Sequence, residues 1–235
     1  MAKEPKFRKI EKEEKTTKAA KVVGKISEFF IQNRKILVIV GIALIVGLIV
    51  LSTFLIINDK NQDKLQVAVE SLQKQEEALV AGEISDEEFQ ALVDDLSAIV
   101  KKGKNSYAGV KASYILGLAY QKAENNDKAY EMYMSVVQKN FKSYLAPLAL
   151  FNAAVAKDDM GDQQEALKLY ERIPLEYGYD AGVAPKALFN SARIHLANGD
   201  TELAKSTFQQ IIDQYSGTGI SSEYVALSQN AILTL

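Results

Sequence analysis

The chain repeats the stretch Ala146-Pro-Leu-Ala-Leu-Phe-Asn-Ala-Ala154 as Ala184-Pro-Lys-Ala-Leu-Phe-Asn-Ser-Ala192. Seven of the nine positions are identical and the offset is 38 residues. A period of this size is typical of helical repeat arrays. Each helical pair in such an array exposes an apolar face that only its neighbours can cover. The stretch therefore predicts an all-α, stacked scaffold of a kind that ordinarily holds other proteins.

Small and bulky side chains recur around this stretch in one phase. The small ones, which let the two helices of a pair approach closely, are Gly117, Ala129, Ala154, Ala166, Ala192 and Ala204. The bulky ones, expected to fill the space toward the next pair, are Tyr133, Tyr170 and Phe208. Gly161-Asp162 and Gly199-Asp200 fall between paired helices, where Gly suits a positive φ and Asp can cap the second helix. The pattern predicts three copies of one helical pair.

On these residues, together with Val136, Ile173 and Ile211, the region from Tyr107 onward resembles the tetratricopeptide repeats. It departs from the family in three ways. Glu124 occupies the turn position of the first copy, the helix-closing proline is missing, and the spacing is 37 to 38 residues instead of about 34. The extra residues are expected in 141–144 and 173–180. A last helix, residues 222–235, is expected to cover the final apolar face.

The resemblance implies a groove lined by the first helix of each pair. The implied positions are Lys111, Tyr114, Leu118 and Gln121; Leu148, Phe151, Val155 and Asp158; and Lys186, Phe189, Arg193 and Leu196. Asn152 and Asn190 lie beside two of the aromatic residues, where an amide could bond the backbone of an extended peptide. Tyr114, Phe151 and Phe189 form a periodic aromatic row, and the row is compatible both with contacts to a peptide and with packing between helices.

One block of the chain is long and apolar. Ile36 to Ile57 is 22 residues without a charge. As a helix it would reach about 33 Å, against a hydrocarbon core of roughly 30 Å. A cleaved signal peptide has a shorter apolar region and a small-residue cleavage site, and a buried core helix is the other alternative. The length and the sequence that follows favour an uncleaved signal anchor, a transmembrane helix over 36–57.

Charge asymmetry predicts the orientation of this anchor. Residues 1–35 carry a net charge of +6, whereas the remaining residues carry a net charge of −8. The positive-inside rule then keeps the basic tail, 1–35, in the cytoplasm and translocates the rest, which in a bacterium places the repeats across the inner membrane, in the periplasm or otherwise outside the cytoplasm. The tail is expected to contact anionic lipid. Five glutamates interrupt its basic residues and no aromatic platform accompanies them, which argues against nucleic acid as a partner.

Between the anchor and the repeats, residues 58–106 predict a juxtamembrane helical hairpin. Asn58 to Lys64 is expected to be a short polar joint. Leu65, Val69, Leu72 and Leu79 then follow at helical spacing and resemble a brief coiled-coil seam, which leaves self-association into a homo-oligomer open. Ser85 and Glu88 predict a capping box at the start of the second helix. The sequence does not decide whether this hairpin is a true repeat.

The sequence offers little for catalysis or cofactor binding. His195 is the only histidine and there is no cysteine, so a zinc site is not expected and His195 is interpreted as a packing or hydrogen-bonding residue. Asp158, Asp159 and Asp162 lack the pattern of a calcium loop and are interpreted as capping carboxylates. Residues 217–219 are too short for a phosphate loop. We therefore predict no enzyme activity, no metal and no cofactor.

A basic tail, one span and a small translocated repeat domain are together similar to the YfgM-type ancillary subunits of the bacterial protein-export channel. This resemblance implies a membrane-anchored adaptor that assists protein export or periplasmic chaperones, with export-channel subunits or chaperones as partners. The alternative is a structural scaffold subunit of an envelope or flagellar-motor assembly. Both functions would rest on non-covalent protein binding.

Overall fold

The computed structural model describes residues 20–218 and 222–235. Residues 1–19 of the basic tail and residues 219–221 lie outside the described part. The described residues contain helices and no strand. Residues 20–32 are helical, and ten helices follow: α1 (Arg34–Ser71), α2 (Gln73–Ala81), α3 (Asp86–Gly103), α4 (Tyr107–Lys122), α5 (Asn126–Lys139), α6 (Leu145–Asp159), α7 (Gln163–Tyr177), α8 (Ala184–Ala197), α9 (Thr201–Tyr215) and α10 (Ser222–Thr234).

The chain divides into two compact units, Met1–Lys60 and Asn61–Leu235. The first unit contains the apolar run. One helix of the described chain is long and apolar enough to cross a membrane, and none of its most apolar window, of mean hydropathy 3.0, is buried. The prediction of a polar joint at residues 58–64 is wrong, because α1 continues through this stretch as a helix. This stretch contains no Gly or Pro that would interrupt a helix.

The second unit opens with a hairpin formed by the end of α1, α2 and α3. Val69, Leu72 and Leu79 are buried with residues of α3 and α4 in one core. The residues that resembled a coiled-coil seam are therefore covered by the chain's own helices, and the seam does not support self-association. The capping box is confirmed: the Ser85 side chain accepts from the Glu88 backbone N–H, and the Glu88 carboxylate accepts from the Ser85 backbone N–H.

Three helical pairs follow, α4 with α5, α6 with α7, and α8 with α9. The turn inside each pair holds one residue with positive φ: Glu124 at 56°, Gly161 at 79° and Gly199 at 84°. The Asp162 carboxylate caps α7 by accepting from the Glu165 N–H, whereas the Asp200 side chain makes no capping bond to α9. The pairs are joined by residues 140–144 and 178–183, so α7 extends through part of the stretch expected to hold extra residues.

The cores of the pairs are continuous along the array. One cluster joins α4 through α8, and another joins α8 and α9 to α10. Tyr224, Val225, Ala231 and Ile232 of α10 lie against Phe208 and its neighbours in the last cluster. The final helix therefore covers an apolar face that a further repeat would otherwise have to cover.

Candidate protein-binding face

The small residues of the first helices define how closely each pair packs. Gly117 lies directly against the Tyr133 ring, since a Cβ on Gly117 would be 2.6 Å from the ring atom Cε1. The Tyr133 hydroxyl donates to Gln121 Oε1 at 2.8 Å. Tyr133 thus fills space within its own pair. The remaining residues predicted to support packing are all fully or almost fully buried: Ala129, Ala154, Ala166, Tyr170, Ala192, Ala204 and Phe208.

The aromatic row contributes to this packing. In each pair, the ring on the first helix contacts the ring on the second: Tyr114 with Tyr133 at 5.8 Å between centroids, Phe151 with Tyr170 at 5.5 Å, and Phe189 with Phe208 at 5.4 Å. Tilted rings at these separations attract each other beyond the burial of their area. Phe151 is only 5% exposed, whereas Tyr114 and Phe189 are half-buried. The row therefore serves as a set of intra-pair contacts.

The two asparagines beside the row have different partners. Asn152 Nδ2 donates to the Tyr114 hydroxyl of the preceding pair at 3.3 Å. Asn190 occupies the same place one repeat later, but the preceding ring is Phe151, which has no hydroxyl. Its half-buried amide makes no side-chain hydrogen bond to any described residue. Asn190 is thus the amide that remains available to a peptide backbone.

Charged side chains connect the first helices to one another. Arg193 pairs with Asp158 of the preceding first helix. The Lys186 ammonium lies 4.8 Å from the centre of the Phe151 ring and covers it. A cation held over an aromatic ring is stabilised by about 0.5–1 kcal/mol at an exposed site. These contacts hold the positions of successive first helices and leave Lys186 and Arg193 exposed.

Several implied groove residues remain at least partly accessible. Together they form a surface that we call the first-helix face, which comprises Lys111, Leu118, Gln121, Leu148, Val155, Lys186, Asn190, Arg193 and Leu196. Its apolar members are half-buried leucine and valine, flanked by cations. An apolar stripe with polar edges is suited to an extended or helical peptide segment.

A cleft of about 510 Å³ adjoins Lys111 and extends this face toward the opening hairpin. It is lined by Gln73, Glu76, Glu77, Val80, Ala81 and Lys111. Burial raises the pKa of the Glu76 carboxyl, although the nearby Lys111 opposes that effect. The Tyr114 hydroxyl also has a raised pKa, chiefly because it is buried. The hairpin thus contributes polar groups beside the first repeat.

The residues considered for chemistry occupy structural roles. His195 Nε2 lies 3.5 Å from Glu171 Oε1, between α7 and α8. Asp158 pairs with Arg193, while Asp162 caps α7 and lies 3.5 Å from Lys157. Within the described residues, no group of three or more His, Cys, Asp or Glu side chains is arranged to hold a metal ion.

Sequence reasoning missed two aromatic contacts between repeats. The Tyr107 and Tyr144 hydroxyls are 3.5 Å apart, and the Phe141 ring stacks on Tyr177 at 4.7 Å. Tyr107 and Tyr144 are 37 residues apart, which is the spacing of the repeat itself. That spacing was the available signal, but both residues lie at helix starts, outside the positions that define the repeat.

Comparison with known proteins agrees with this architecture. The tetratricopeptide repeat family matches residues 111–140, 148–178 and 186–218. Crystal structures of nearly identical TPR-like repeats ascribed to a kinesin light chain of Podosopora anserina, and of a single-residue variant of the same repeats, align with TM-scores of 0.54 at 19% and 18% identity. Each alignment covers 73% of this chain and 84% of the other. The share of this chain exceeds that of residues 107–235 alone, so the likeness extends beyond the three matched repeats.

A protein binding protein from Bacteroides ovatus is a further structural match. Its identity is 20%, and the alignment covers 71% of this chain and 96% of that one. The TM-score of this alignment is 0.39. No curated protein matches the sequence significantly. The matched repeats and the two aligned structures of TPR-like repeats support a tetratricopeptide-repeat protein, whose residues 111–218 carry three such repeats within an all-helical, TPR-like array.

Proposed function

We propose that the chain is a single-pass, membrane-anchored adaptor that binds proteins non-covalently through the first-helix face. In this proposal residues 1–35 lie in the cytoplasm, 36–57 cross the bacterial inner membrane, and the repeats lie in the periplasm. There the repeats assist protein export, contacting export-channel subunits, emerging chains or chaperones. The observation that carries protein binding is the free Asn190 amide between exposed Lys186 and Arg193, on a face whose apolar members are only half-buried.

The exposure of the apolar run supports the membrane anchor. Leu44, Leu48 and Phe54 are each more than 60% exposed. Large exposed apolar surfaces are rare in water-soluble proteins and are expected where lipid or a partner covers them. A core helix would instead be buried, and the apolar region of a signal peptide is shorter. The basic residues before the run and the acidic balance after it support the orientation.

The topology is tested by labelling single cysteines. The chain has no native cysteine, so Asn105→Cys and an introduced cysteine at Lys12 each give a unique site. In intact spheroplasts, a membrane-impermeant maleimide should label position 105 and should reach position 12 only after lysis. Labelling of position 12 alone in intact spheroplasts would contradict the orientation, and labelling of neither would contradict a periplasmic domain.

Protein binding is tested by photocrosslinking in native membranes. A photoreactive residue at Leu148 or Val155 samples the first-helix face, and the same residue at exposed Gln138 on α5 is the control. Phe151 is a poor reporter because it is buried. We expect adducts with export-channel subunits, chaperones or secretory chains from the face and not from the control. One abundant envelope or motor protein would favour the structural scaffold, and equal adducts at face and control positions would contradict binding through this face.

A further inference from the structure

The contacts between repeats assemble a second surface, on the edge where one pair ends and the next begins. This inter-repeat edge comprises residues 101–107, 139–144 and 175–180. Tyr107 meets Tyr144 hydroxyl to hydroxyl, and Phe141 stacks on Tyr177 with an angle of 27° between the ring planes. The Tyr215 hydroxyl donates to the Tyr179 carbonyl at 2.7 Å, which places the end of α9 at the same edge. The edge is thus continuous across the array.

Aromatic and aliphatic side chains on this edge are open to solvent. Tyr107 is 43% exposed, Phe141 45%, Tyr144 64% and Leu175 77%. The fully buried tyrosines of the array, Tyr133 and Tyr170, lie inside the pairs. Tyrosine has an apolar ring and a polar hydroxyl, so it is suited to a boundary between water and an apolar phase.

The charge on this edge differs from that on the opposite one. Residues 101–107 and 139–144 carry five lysines and no acidic residue, and residues 175–180 add Asp180 and Glu176, the latter paired with Arg172. The opposite turn edge, residues 82–88, 123–128, 158–162 and 199–202, carries eleven acidic residues and one lysine. The dipoles of the second helices favour these signs, because the second helices begin at the turn edge and end at the inter-repeat edge, but the first helices run in the opposite direction and oppose them. The dipoles therefore do not account for the lysines or for the exposed aromatic side chains beside them.

The chain enters the second unit at the inter-repeat edge. Leu65 and Lys102 line the same cavity of about 260 Å³, so the start of the unit lies beside the end of α3. Gly82 is next to the Lys122 ammonium, which places the first turn at the other edge. Leu65 is eight residues after Ile57, the end of the apolar run. Because this stretch is part of the continuous helix α1, eight residues rise only about 12 Å.

We propose that the inter-repeat edge contacts the anionic headgroups of the membrane in which the chain is anchored. This inference rests on the proposed anchor. The lysines supply attraction to acidic phospholipid, and the tyrosines and Phe141 supply side chains that partition into the interface. Because the attraction decays within about 8 Å at physiological salt, it acts only if the edge approaches the surface closely. The first-helix face is a separate surface and is left free for protein partners.

Headgroup quenching in nanodiscs tests the contact on the full chain. Fluorophores at Asn105→Cys, on the inter-repeat edge, and at Asp159→Cys, on the turn edge, are compared in discs carrying a headgroup-attached nitroxide quencher. The two edges are separated by about one helix length, roughly 22 Å. We expect strong quenching at position 105 and little at position 159 in phosphatidylglycerol discs, with the difference reduced in pure phosphatidylcholine or at high salt.

Charge reversal gives the matched control. One lysine near an anionic surface raises occupancy by roughly fivefold, so Lys101→Glu with Lys142→Glu should reduce it by about 25-fold or more. Lys122→Glu with Lys205→Glu makes the same change in net charge away from the edge and should leave quenching unchanged. Retention in the disc is measured in parallel. A retained chain with equal quenching at both positions overturns the lipid contact alone, whereas a chain that is not retained overturns the anchor and this inference together.

Discussion

The first repeat and the two later repeats build the same contact from different residues. The centroids of the two rings in each pair are 5.8, 5.5 and 5.4 Å apart along the array. Around this constant contact, Gly117 is replaced by Ala154 and Ala192, and Glu124 by Gly161 and Gly199. The second ring is tyrosine in two pairs and phenylalanine in the third. The ring pair therefore fixes the repeat geometry, while the small residues and the turn residues vary around it.

Removing the second ring of a pair should give the largest loss in the free energy of unfolding. Tyr133→Ala is expected to lower the free energy of unfolding by roughly 3–5 kcal/mol, as for other large aromatic deletions in cores. Its ring is fully buried and faces Gly117, which has no side chain to fill the cavity. Chemical unfolding followed by circular dichroism measures the change. Tyr144→Ala, at an exposed tyrosine, is the control and should leave the free energy nearly unchanged; similar losses in both variants would show that the ring pair is not the determinant.

Alkaline pH should act on the ring pairs of the first two repeats through their tyrosines. Burial raises the pKa of the Tyr133 and Tyr170 hydroxyls above the ordinary value of 10. Phe208 has no hydroxyl, and α9 depends instead on Tyr215, whose pKa burial raises to about 12. Because the folded pKa values are raised, this contribution is fully present below about pH 10 and is lost as pH rises further. In the Tyr133→Phe/Tyr170→Phe variant, hydrogen exchange should report α4–α7 opening at higher pH than in the wild type, while α8 and α9 open at an unchanged pH. An unshifted transition of α4–α7 in this variant would contradict the account.

Gly117 of the first pair and the alanines at the same position of the later pairs can be interchanged by mutation. In Gly117→Ala the added methyl would lie 2.6 Å from the Tyr133 ring, so the ring must shift. Overpacking costs about 1–3 kcal/mol, which exceeds the helix-propensity gain of about 1 kcal/mol. We expect a net loss of thermal stability, and a loss also in Ala154→Gly, the reciprocal change. An unchanged or higher thermal midpoint in Gly117→Ala would show that the first pair has spare room.

Substitution at the turn of the first pair should give the smallest change in stability, and this change is a gain whereas the changes above are losses. Glu124 adopts φ 56°, a left-handed conformation that costs roughly 1–2 kcal/mol for residues with a Cβ. Glu124→Gly relieves this strain but makes the unfolded chain more flexible, so a net gain of about 0.5–1 kcal/mol is expected. The matched variant Gly161→Ala introduces the strain into open space and should lower stability. Calorimetry on the pair checks both signs; a destabilised Glu124→Gly would contradict the strain argument.

Much of the fold was predictable because its determinants are local. The duplicated nine-residue stretch, the Gly-Asp turns and the Ser85 capping box each specify structure within a few residues. The packing of Val69, Leu72 and Leu79 against α3 and α4 was not predictable, since an apolar stripe at helical spacing does not identify the surface that covers the stripe. The same limit applied to the aromatic row, whose spacing is identical in a groove and in a core. Asn152 and Asn190 differ through the first-helix ring of the preceding pair, which has a hydroxyl in Tyr114 and none in Phe151, and the spacing of the repeats does not identify that contact.

The most direct test of the account measures partner retention by the full chain purified from native membranes. Leu148→Glu with Val155→Glu places two charges on the first-helix face, and Gln138→Glu with Gln164→Glu places the same two charges on exposed positions of α5 and α7 as the control. Quantitative mass spectrometry compares the proteins retained by each variant, with circular dichroism verifying that both remain folded. The account predicts loss of the specific partners from the face variant alone. An unchanged set of partners on a folded face variant would contradict protein binding through the first helices.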